Sequence, residues 1–282
     1  MSGSLATLNA DLAHLTFSSS TVGTSQLTVD VWDQGGVEAK STISISVQSA
    51  TSSGSTTTTS GSTTTTTGST TGSTTTGSTT GTTTTSSTPQ TIYGGDGANL
   101  TVQGGTNSVY LLGSHGTITA IAGTNLLYTS GTGNTITGGS GTDKIQAFAG
   151  GNTLKAGSGT ETINFAGSNN TIYVGSGSDT LNDSGSNNKI VFGKAGGGTA
   201  QIYGYVLKNG DTLDLRTTLA NTSWTKSSAT IGNFLKVSQS GGDAVISVDP
   251  SGVAGGATTT LAVLHGAGSV SLSTLLAHST TV

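Results

Sequence analysis

Between residues 90 and 196, a branched apolar residue recurs at every ninth position. The ten positions are Val109, Ile118, Leu127, Ile136, Ile145, Leu154, Ile163, Ile172, Leu181 and Ile190. A helix needs apolar spacing near 3.6 residues, and a nine-residue unit this rich in glycine would not sustain one. The pattern instead predicts a short strand with one inward-facing residue, followed by a tight glycine turn.

Two such units make one coil of 18 residues, and successive coils are expected to stack about 4.8 Å apart. This arrangement is a parallel β-roll, a β-solenoid in which each coil is stabilised by its neighbours. We therefore predict an all-β fold with the β-roll over residues 90–199. A β-rich C-terminal cap is expected over residues 200–282.

The N-terminal segment, residues 1–50, alternates apolar and polar residues with a period of two. Strands are expected at Leu12–Phe17, Leu27–Val31 and Ile43–Val47, with a turn signal at Asp33–Gly36. This pattern resembles the second half of the Ig-like or cadherin-like modules of large bacterial surface proteins. The resemblance implies a partial β-sandwich that serves as a spacer or adhesion stalk, at the end of a longer protein.

Residues 51–88 contain only serine, threonine and glycine, and Pro89 follows them. Such a composition offers nothing that could bury a core. We expect a flexible linker over residues 51–89, with a root-mean-square span of roughly 35 Å. Glycosylation of this segment is left open.

The composition excludes several classes of function. The chain has no cysteine, so it contains no disulfide, thiol nucleophile or thiolate metal site. Only 8% of residues are charged and the formal net charge is −4, which argues against binding nucleic acid. No apolar run approaches the length of a membrane span. The sequence also lacks a zinc-protease motif, a nucleophile elbow and a phosphate-binding loop, so we expect no enzyme activity.

The residue two positions before each apolar position indicates where charge accumulates. Because alternate units lie at opposite edges of the roll, residues 18 apart should stack. One edge then contains Asn107, Asn125, Asp143, Glu161 and Asp179, and the other contains Gly116, Asn134, Asn152, Asn170 and Asn188. Two carboxylates about 4.8 Å apart repel by roughly 3–4 kcal/mol at an effective dielectric constant of 20. A stack of three acids therefore requires a cation or a proton, whereas stacked amides can bond to one another.

The turns of the acidic edge match a known repeat. Gly138–Gln146, Ala156–Ile163 and Val174–Leu181 resemble the hemolysin-type (RTX) nonapeptide G-G-x-G-x-D-x-U-x, where U is a large apolar residue. The resemblance implies calcium held between turns by the acidic side chains and by backbone carbonyl groups. The residues implied are Gly139, Gly141, Asp143, Gly157, Gly159, Glu161, Gly175, Gly177 and Asp179. We expect about two calcium ions there and few or none at the amide edge; the alternative is that the carboxylates are simply solvated.

Residues 200–282 return to mixed patterning, with Gly210–Leu215 as the most recognisable element. This order resembles the C-terminal target domain of proteins exported by bacterial type I secretion. The resemblance implies the type I secretion machinery as partner and a secreted, extracellular or cell-surface location. A polar cap over the open end of the roll is an alternative role, and the two are compatible.

These observations lead to one functional hypothesis with alternatives. We expect a calcium-binding secretion and folding module of a type I-secreted bacterial surface protein, an adhesin with a cell-surface or matrix ligand. One alternative is the secretion region of an exported hydrolase whose catalytic domain lies elsewhere. Another is a calcium-independent structural or ice-binding solenoid, since Thr117, Thr119, Thr135 and Thr137 form a small outward array.

Overall fold

The computed structural model is mostly β structure and forms two units, residues 1–58 and 59–282. The residues it describes are 23–32, 38–47, 64–67, 73–77, 82–85, 89–204, 207 and 209–282. Within these ranges, no helix has the length and apolar character needed to cross a membrane.

The first unit contains an antiparallel pair, β1 (Gly23–Trp32) and β2 (Glu38–Val47), in which Leu27 lies opposite Ile43. These strands include two of the three apolar runs identified in the sequence. The third run, Leu12–Phe17, and the turn between the two strands lie outside the described residues. An Ig-like module therefore stays a prediction.

The second unit is a parallel β-solenoid built from two sheets. In chain order its strands are β3 (Thr64–Thr67), β4 (Ser73–Gly77), β5 (Thr82–Thr85), β6 (Gln90–Gly94), β7 (Asn99–Val102), β8 (Thr106–Leu111), β9 (Thr117–Ala120), β10 (Thr124–Thr129), β11 (Thr135–Thr137), β12 (Thr142–Ala147), β13 (Thr153–Lys155), β14 (Thr160–Phe165), β15 (Thr171–Tyr173), β16 (Thr180–Asp183), β17 (Lys189–Val191), β18 (Ala200–Tyr203) and β19 (Thr212–Asp214). The even-numbered strands form one sheet, here the even sheet, and the odd-numbered strands form the odd sheet. The chain passes from one sheet to the other at every turn, as the nine-residue pattern predicts.

The core of the solenoid is a stack of equivalent apolar side chains inside each sheet. Leu127, Ile145 and Ile163 are directly paired, 18 residues apart. All ten positions of the nine-residue pattern are at most 1% exposed, which confirms the predicted inner row. The stack continues to Ile202 in the even sheet and to Leu213 in the odd sheet.

The structure differs from the flexible linker expected over residues 51–89. Strands β3, β4 and β5 lie inside that segment and pair in parallel with solenoid strands. They begin at residues 64, 73 and 82, which repeats the nine-residue period without any apolar residue. β-branched threonine favours extended backbone, and a neighbouring coil supplies the hydrogen bonds. The remaining residues of 51–88 lie outside the described residues.

The two sheets continue into the C-terminal segment and then end in a different topology. The even sheet continues from β18 to β22 (Thr259–Leu264) in parallel, and then to β21 (Asp243–Val248) and β20 (Leu235–Ser240) in antiparallel pairing. The odd sheet ends with β23 (Ser279–Thr280) beside β19. Among the described residues of this segment, three short helices, α1 (Arg216–Ala220), α2 (Ile231–Phe234) and α3 (Leu272–Ala277), add to the predicted β-rich cap.

An aromatic ladder lies on the outer face of the even sheet. The ring centroids of Tyr93 and Tyr110 are 5.1 Å apart, those of Tyr110 and Tyr128 are 5.6 Å apart, and Phe148 follows at 5.7 Å. Tyr93 and Tyr110 are nearly parallel, so these rings face each other along the roll axis. Such pairs contribute about 0.5–1.5 kcal/mol each beyond the burial of their area.

Glycine in the turns allows successive coils to touch. A Cβ atom on Gly131 would coincide with the carbonyl oxygen of Gly113, one coil earlier. The turn at Gly131 therefore accepts no side chain without moving backbone. Gly95 is different, because nothing lies within 4 Å of a Cβ atom added there.

We predict that Gly131→Ala lowers the free energy of unfolding by about 1–3 kcal/mol, since overpacking must displace backbone atoms. Gly95→Ala is the matched control and should leave the free energy unchanged or slightly raised. Urea denaturation followed by circular dichroism measures both. Equal effects of the two substitutions would contradict close packing between turns.

Candidate metal centre

The predicted acidic residues stack in one column at the beginning of the even strands. Asn125 pairs with Asp143, and Asp143 pairs with Glu161. The register of β14 and β16 then places Asp179 beside Glu161. We refer to Asp143, Glu161 and Asp179 as the acid column.

The acid column lies inside the solenoid. Asp143 is 2% exposed, and Glu161 and Asp179 are both 0% exposed. The alternative of simply solvated carboxylates is therefore wrong. The physical reason is the two-residue period of a strand, because Asp143 stands two positions before the core residue Ile145 and faces the same side.

Each aspartate of the column is bound by its own turn. The Gly139 N–H group donates to Asp143 Oδ2 at 3.0 Å, and the Gly175 N–H group donates to Asp179 Oδ2 at 2.9 Å. Asp143 Oδ1 also accepts the backbone N–H and the side-chain amide of Asn125, at 3.0 and 2.7 Å. Asp143 is thus satisfied at both oxygens.

Glu161 and Asp179 are not satisfied. Glu161 Oε1, Glu161 Oε2 and Asp179 Oδ1 are buried without a hydrogen-bond partner. A buried carboxylate oxygen without a partner costs free energy unless a proton or a cation compensates it. Glu161 Oε1 lies near the turn of the preceding coil, 3.4 Å from where a Cβ atom on Gly138 would stand.

Burial raises the pKa of Glu161 to about 8, and the neighbouring Asp179 carboxyl adds to the effect. Without a cation, Glu161 therefore keeps a proton at neutral pH. This agrees with the argument from spacing that a stack of three acids requires a cation or a proton.

The predicted glycines bring successive turns into contact. A Cβ atom on Gly157 or Gly159 would coincide with the carbonyl oxygen of Gly139 or Gly141, and Gly175 and Gly177 contact Gly157 and Gly159 in the same way. The carbonyl oxygens of Gly139, Gly141 and Gly157 accept N–H groups of Ser158, Thr160 and Ser176 at 2.9, 3.0 and 3.1 Å. Each carbonyl oxygen retains a second lone pair.

Gly138, the first glycine of the best repeat, was not among the predicted site residues but borders the acid column. A Cβ atom there would lie 3.3 Å from Glu161 Cγ and 3.4 Å from Asp143 Oδ2. A side chain would thus approach the carboxyl groups. The sequence could have indicated Gly138, because it occupies the first position of the nonapeptide motif.

The available donors fit Ca²⁺. This cation takes six to eight oxygen ligands, and carboxylates and backbone carbonyls are its usual protein ligands. The acid column and its turns offer only oxygen. Among the described residues no three or more His, Cys, Asp or Glu side chains form a metal-ligating group. Backbone carbonyls would therefore have to supply a substantial part of the coordination.

The opposite edge is a ladder of neutral amides. Each Oδ1 atom accepts the backbone N–H group of the residue one coil earlier. The donor–acceptor pairs are Gly116–Asn134 at 2.7 Å, Asn134–Asn152 at 2.8 Å, Asn152–Asn170 at 2.8 Å and Asn170–Asn188 at 2.9 Å. The ladder satisfies itself without an ion.

The ladder ends in two acidic residues that the sequence reasoning missed as a site. The Asn188 N–H group donates to Asp211 Oδ1 at 2.7 Å, and the side-chain amide of Asn188 reaches Asp183 Oδ1 at 3.3 Å. We refer to Asp183 and Asp211 as the terminal pair. The sequence could have indicated Asp183, because it stands two positions after the inward-facing Leu181 and must also face inward.

Of the described histidines, His265 is engaged in structural contacts. Both ring nitrogens of His265 are held, Nδ1 by Asp243 at 3.0 Å and Nε2 by Gln201 at 2.9 Å. Tyr203 stacks on the same ring at 4.0 Å. His115 is exposed in a turn.

Comparison with known families finds the RTX calcium-binding nonapeptide repeat, in four copies, at residues 128–163 and 166–195. The match includes the whole acid column and Asp183, and it ends before Asp211. Searches of curated proteins and of solved structures give no match.

We predict that, in a chelator, the free energy of unfolding falls as the pH rises from about 5 to about 8. The folded chain holds a proton on Glu161, whose pKa is about 8, whereas the unfolded chain releases it near 4.5. Stability is thus fully present below the unfolded pKa and is lost as the pH approaches the folded pKa. Circular dichroism in a chelator at several pH values gives the fraction of folded chain, which yields the slope even where the chain without calcium is partly unfolded; urea is added only where the chain is fully folded.

Glu161→Gln should reduce this slope, because an amide does not titrate. A smaller slope of the same sign should remain, since the pKa of Asp211 is also raised, to about 7. An identical slope in the substituted and the unsubstituted chain would contradict a buried proton on Glu161.

Proposed function

We propose that the RTX repeats of this chain bind calcium at the acid column, and that this binding drives folding of the solenoid after export. The chain would then serve as a calcium-dependent folding and secretion module of a type I-secreted bacterial surface protein. One observation supports this most directly. Three carboxylate oxygens of Glu161 and Asp179 are buried without partners between glycine turns.

Calcium supplies the positive charge that the acid column needs. Glu161 and Asp179 would hold one ion, and Asp143 and Glu161 would contribute to a second. The carbonyl groups of the turns at Gly139, Gly157 and their neighbours add neutral oxygen ligands. Since these groups come together only in the folded solenoid, the free energy of binding adds to the free energy of folding.

The composition supports folding that depends on an ion. Only 31% of residues are hydrophobic, and most nine-residue units bury one large apolar side chain; Leu111, Phe165 and Phe192 are second buried side chains in their units. Conformational entropy opposes folding by about 1–2 kcal/mol per residue, which leaves such a core a small margin. Where calcium is scarce the chain would remain unfolded and suited to export. Outside the cell, calcium would complete the fold.

Two features support export and a surface location. RTX repeats are typical of secreted proteins, and the segment over 200–282 resembles a type I secretion target domain. We propose the type I secretion machinery as partner, and a secreted or cell-surface location. The β1–β2 hairpin supports an adhesin stalk, whose ligand would be a cell surface or matrix.

The amide ladder favours a second candidate. It satisfies its own hydrogen bonds through neutral groups, so one edge of the solenoid needs no ion. If the acid column retained only its proton, the chain would be a permanently folded structural roll.

We predict that calcium, but not magnesium, increases the β signal in far-ultraviolet circular dichroism of the full chain. Asp179→Asn should weaken calcium binding at least tenfold, because it removes one anionic oxygen, whereas Asn125 shows that the column accepts an amide. Asp96→Asn is the matched control, since Asp96 lies in an exposed turn and accepts the Ser114 N–H group. An already folded spectrum in a chelator, unchanged by calcium, would favour the second candidate.

We also predict that cells with a type I exporter release the full chain into the medium, and that cells without the exporter do not. A triple variant, Asp143→Asn with Glu161→Gln and Asp179→Asn, should be exported equally well but remain sensitive to protease outside the cell. Protease digestion of the medium with added calcium measures this. Retention inside the exporting cells would contradict the secretion proposal and leave the calcium result intact.

A further inference from the structure

The terminal pair lies where the repeats meet the C-terminal segment, on the edge opposite the acid column. Asp183 is the last residue of β16, and Asp211 immediately precedes β19. Asp183 is 8% exposed and Asp211 is 0% exposed. The Oδ2 atom of each is buried without a hydrogen-bond partner.

The hydrogen bonds of Asp183 do not require a charge. Its Oδ1 atom accepts the Gly185 N–H group at 2.8 Å and the Asn188 side-chain amide at 3.3 Å. Three coils earlier, a neutral Thr129 hydroxyl makes the same two contacts, with the Gly131 N–H group at 3.2 Å and with the Asn134 amide at 2.7 Å. A threonine is therefore sufficient at this position of the fold.

The hydrogen bond of Asp211 does not require a charge either. Its Oδ1 atom accepts the Asn188 N–H group, as the side-chain oxygen of Asn188 accepts the N–H group of Asn170. An asparagine serves this purpose in the four preceding coils. Both acidic residues thus have one more oxygen, and one more charge, than the local structure uses.

The two carboxyl groups lie close together, because Asn188 donates to both of them, through its backbone N–H group to Asp211 Oδ1 at 2.7 Å and through its side-chain amide to Asp183 Oδ1 at 3.3 Å. Burial raises the pKa of Asp211, and the charge of Asp183 adds to the effect. Two carboxylate groups in one buried place are ligands typical of a hard divalent cation.

We propose that Asp183 and Asp211 form a second cation site, which binds one hard divalent cation such as Ca²⁺ between the last matched repeat and the C-terminal cap. Asp183 belongs to the repeats and Asp211 to the segment that follows, so the cation fastens the cap to the solenoid. The site uses none of the residues of the acid column. Failure of calcium binding at the acid column would therefore not decide this proposal, and failure of this proposal would not decide calcium binding at the acid column.

The test replaces each acidic residue by the neutral residue that occupies the equivalent position in an earlier coil. Asp183→Thr copies Thr129, and Asp211→Asn copies Asn188, so both variants should fold. Isothermal titration of the full chain with calcium chloride should show one ion fewer for each variant than for the unsubstituted chain. Asp179→Asn, which weakens calcium binding at the acid column, should leave the affinity for this one ion unchanged.

Hydrogen exchange gives a second measurement, which locates the bound ion in the chain. Calcium should protect backbone amides at residues 209–215 in the unsubstituted chain, and Asp183→Thr should raise the calcium concentration required at least tenfold. Unchanged stoichiometry and protection in both variants would overturn the proposal. The terminal pair would then hold only a shared proton.

Discussion

A coil that repeats every 18 residues places each side chain directly against its own equivalents, and the other features of the solenoid depend on this constraint. Branched apolar residues stacked in this way make a continuous core. Asparagines make a self-satisfying ladder, and tyrosines on the outer face make a line of rings. Acidic side chains stacked at equivalent positions are likewise brought together inside the protein, where their charges are most costly.

The two edges of the solenoid consequently differ in what they need from the solvent. The amide edge is complete once its coils are in place, because every Oδ1 atom between Asn134 and Asn188 finds a backbone donor. The acid edge is complete only with a proton or a cation, since Glu161 has no partner for either oxygen. One edge thus needs only its neighbouring coils, and the other also needs a proton or a cation. Because both edges belong to the same coils, an ion bound at the acid edge adds to the stability of the whole solenoid.

Much of this could be predicted from the sequence, because the ten core positions and both polar columns follow from one period and one motif. Other features could not. Strands β3–β5 repeat with the same period, but there it is marked only by glycines, Gly68 with Gly77 and Gly72 with Gly81. The acid column was expected at an edge that could be solvated, and the two-residue alternation within each strand turns it inward. Asp183 and Asp211 lie 28 residues apart across an irregular connection, so no repeat alignment brings them together.

The hydrogen bonds of the amide ladder all point in the same direction. Each coil donates an N–H group to an oxygen that belongs to the coil following it in the chain, and Asn125 donates to Asp143 in the same sense. The backbone N–H group of the next residue runs the other way, from Thr135 to the Gly116 carbonyl and from Thr153 to the Asn134 carbonyl of the preceding coil. Each coil is therefore held by both of its neighbours, and a coil at the end of the amide edge needs an acceptor from outside the repeats. Asp211 supplies that acceptor for Asn188.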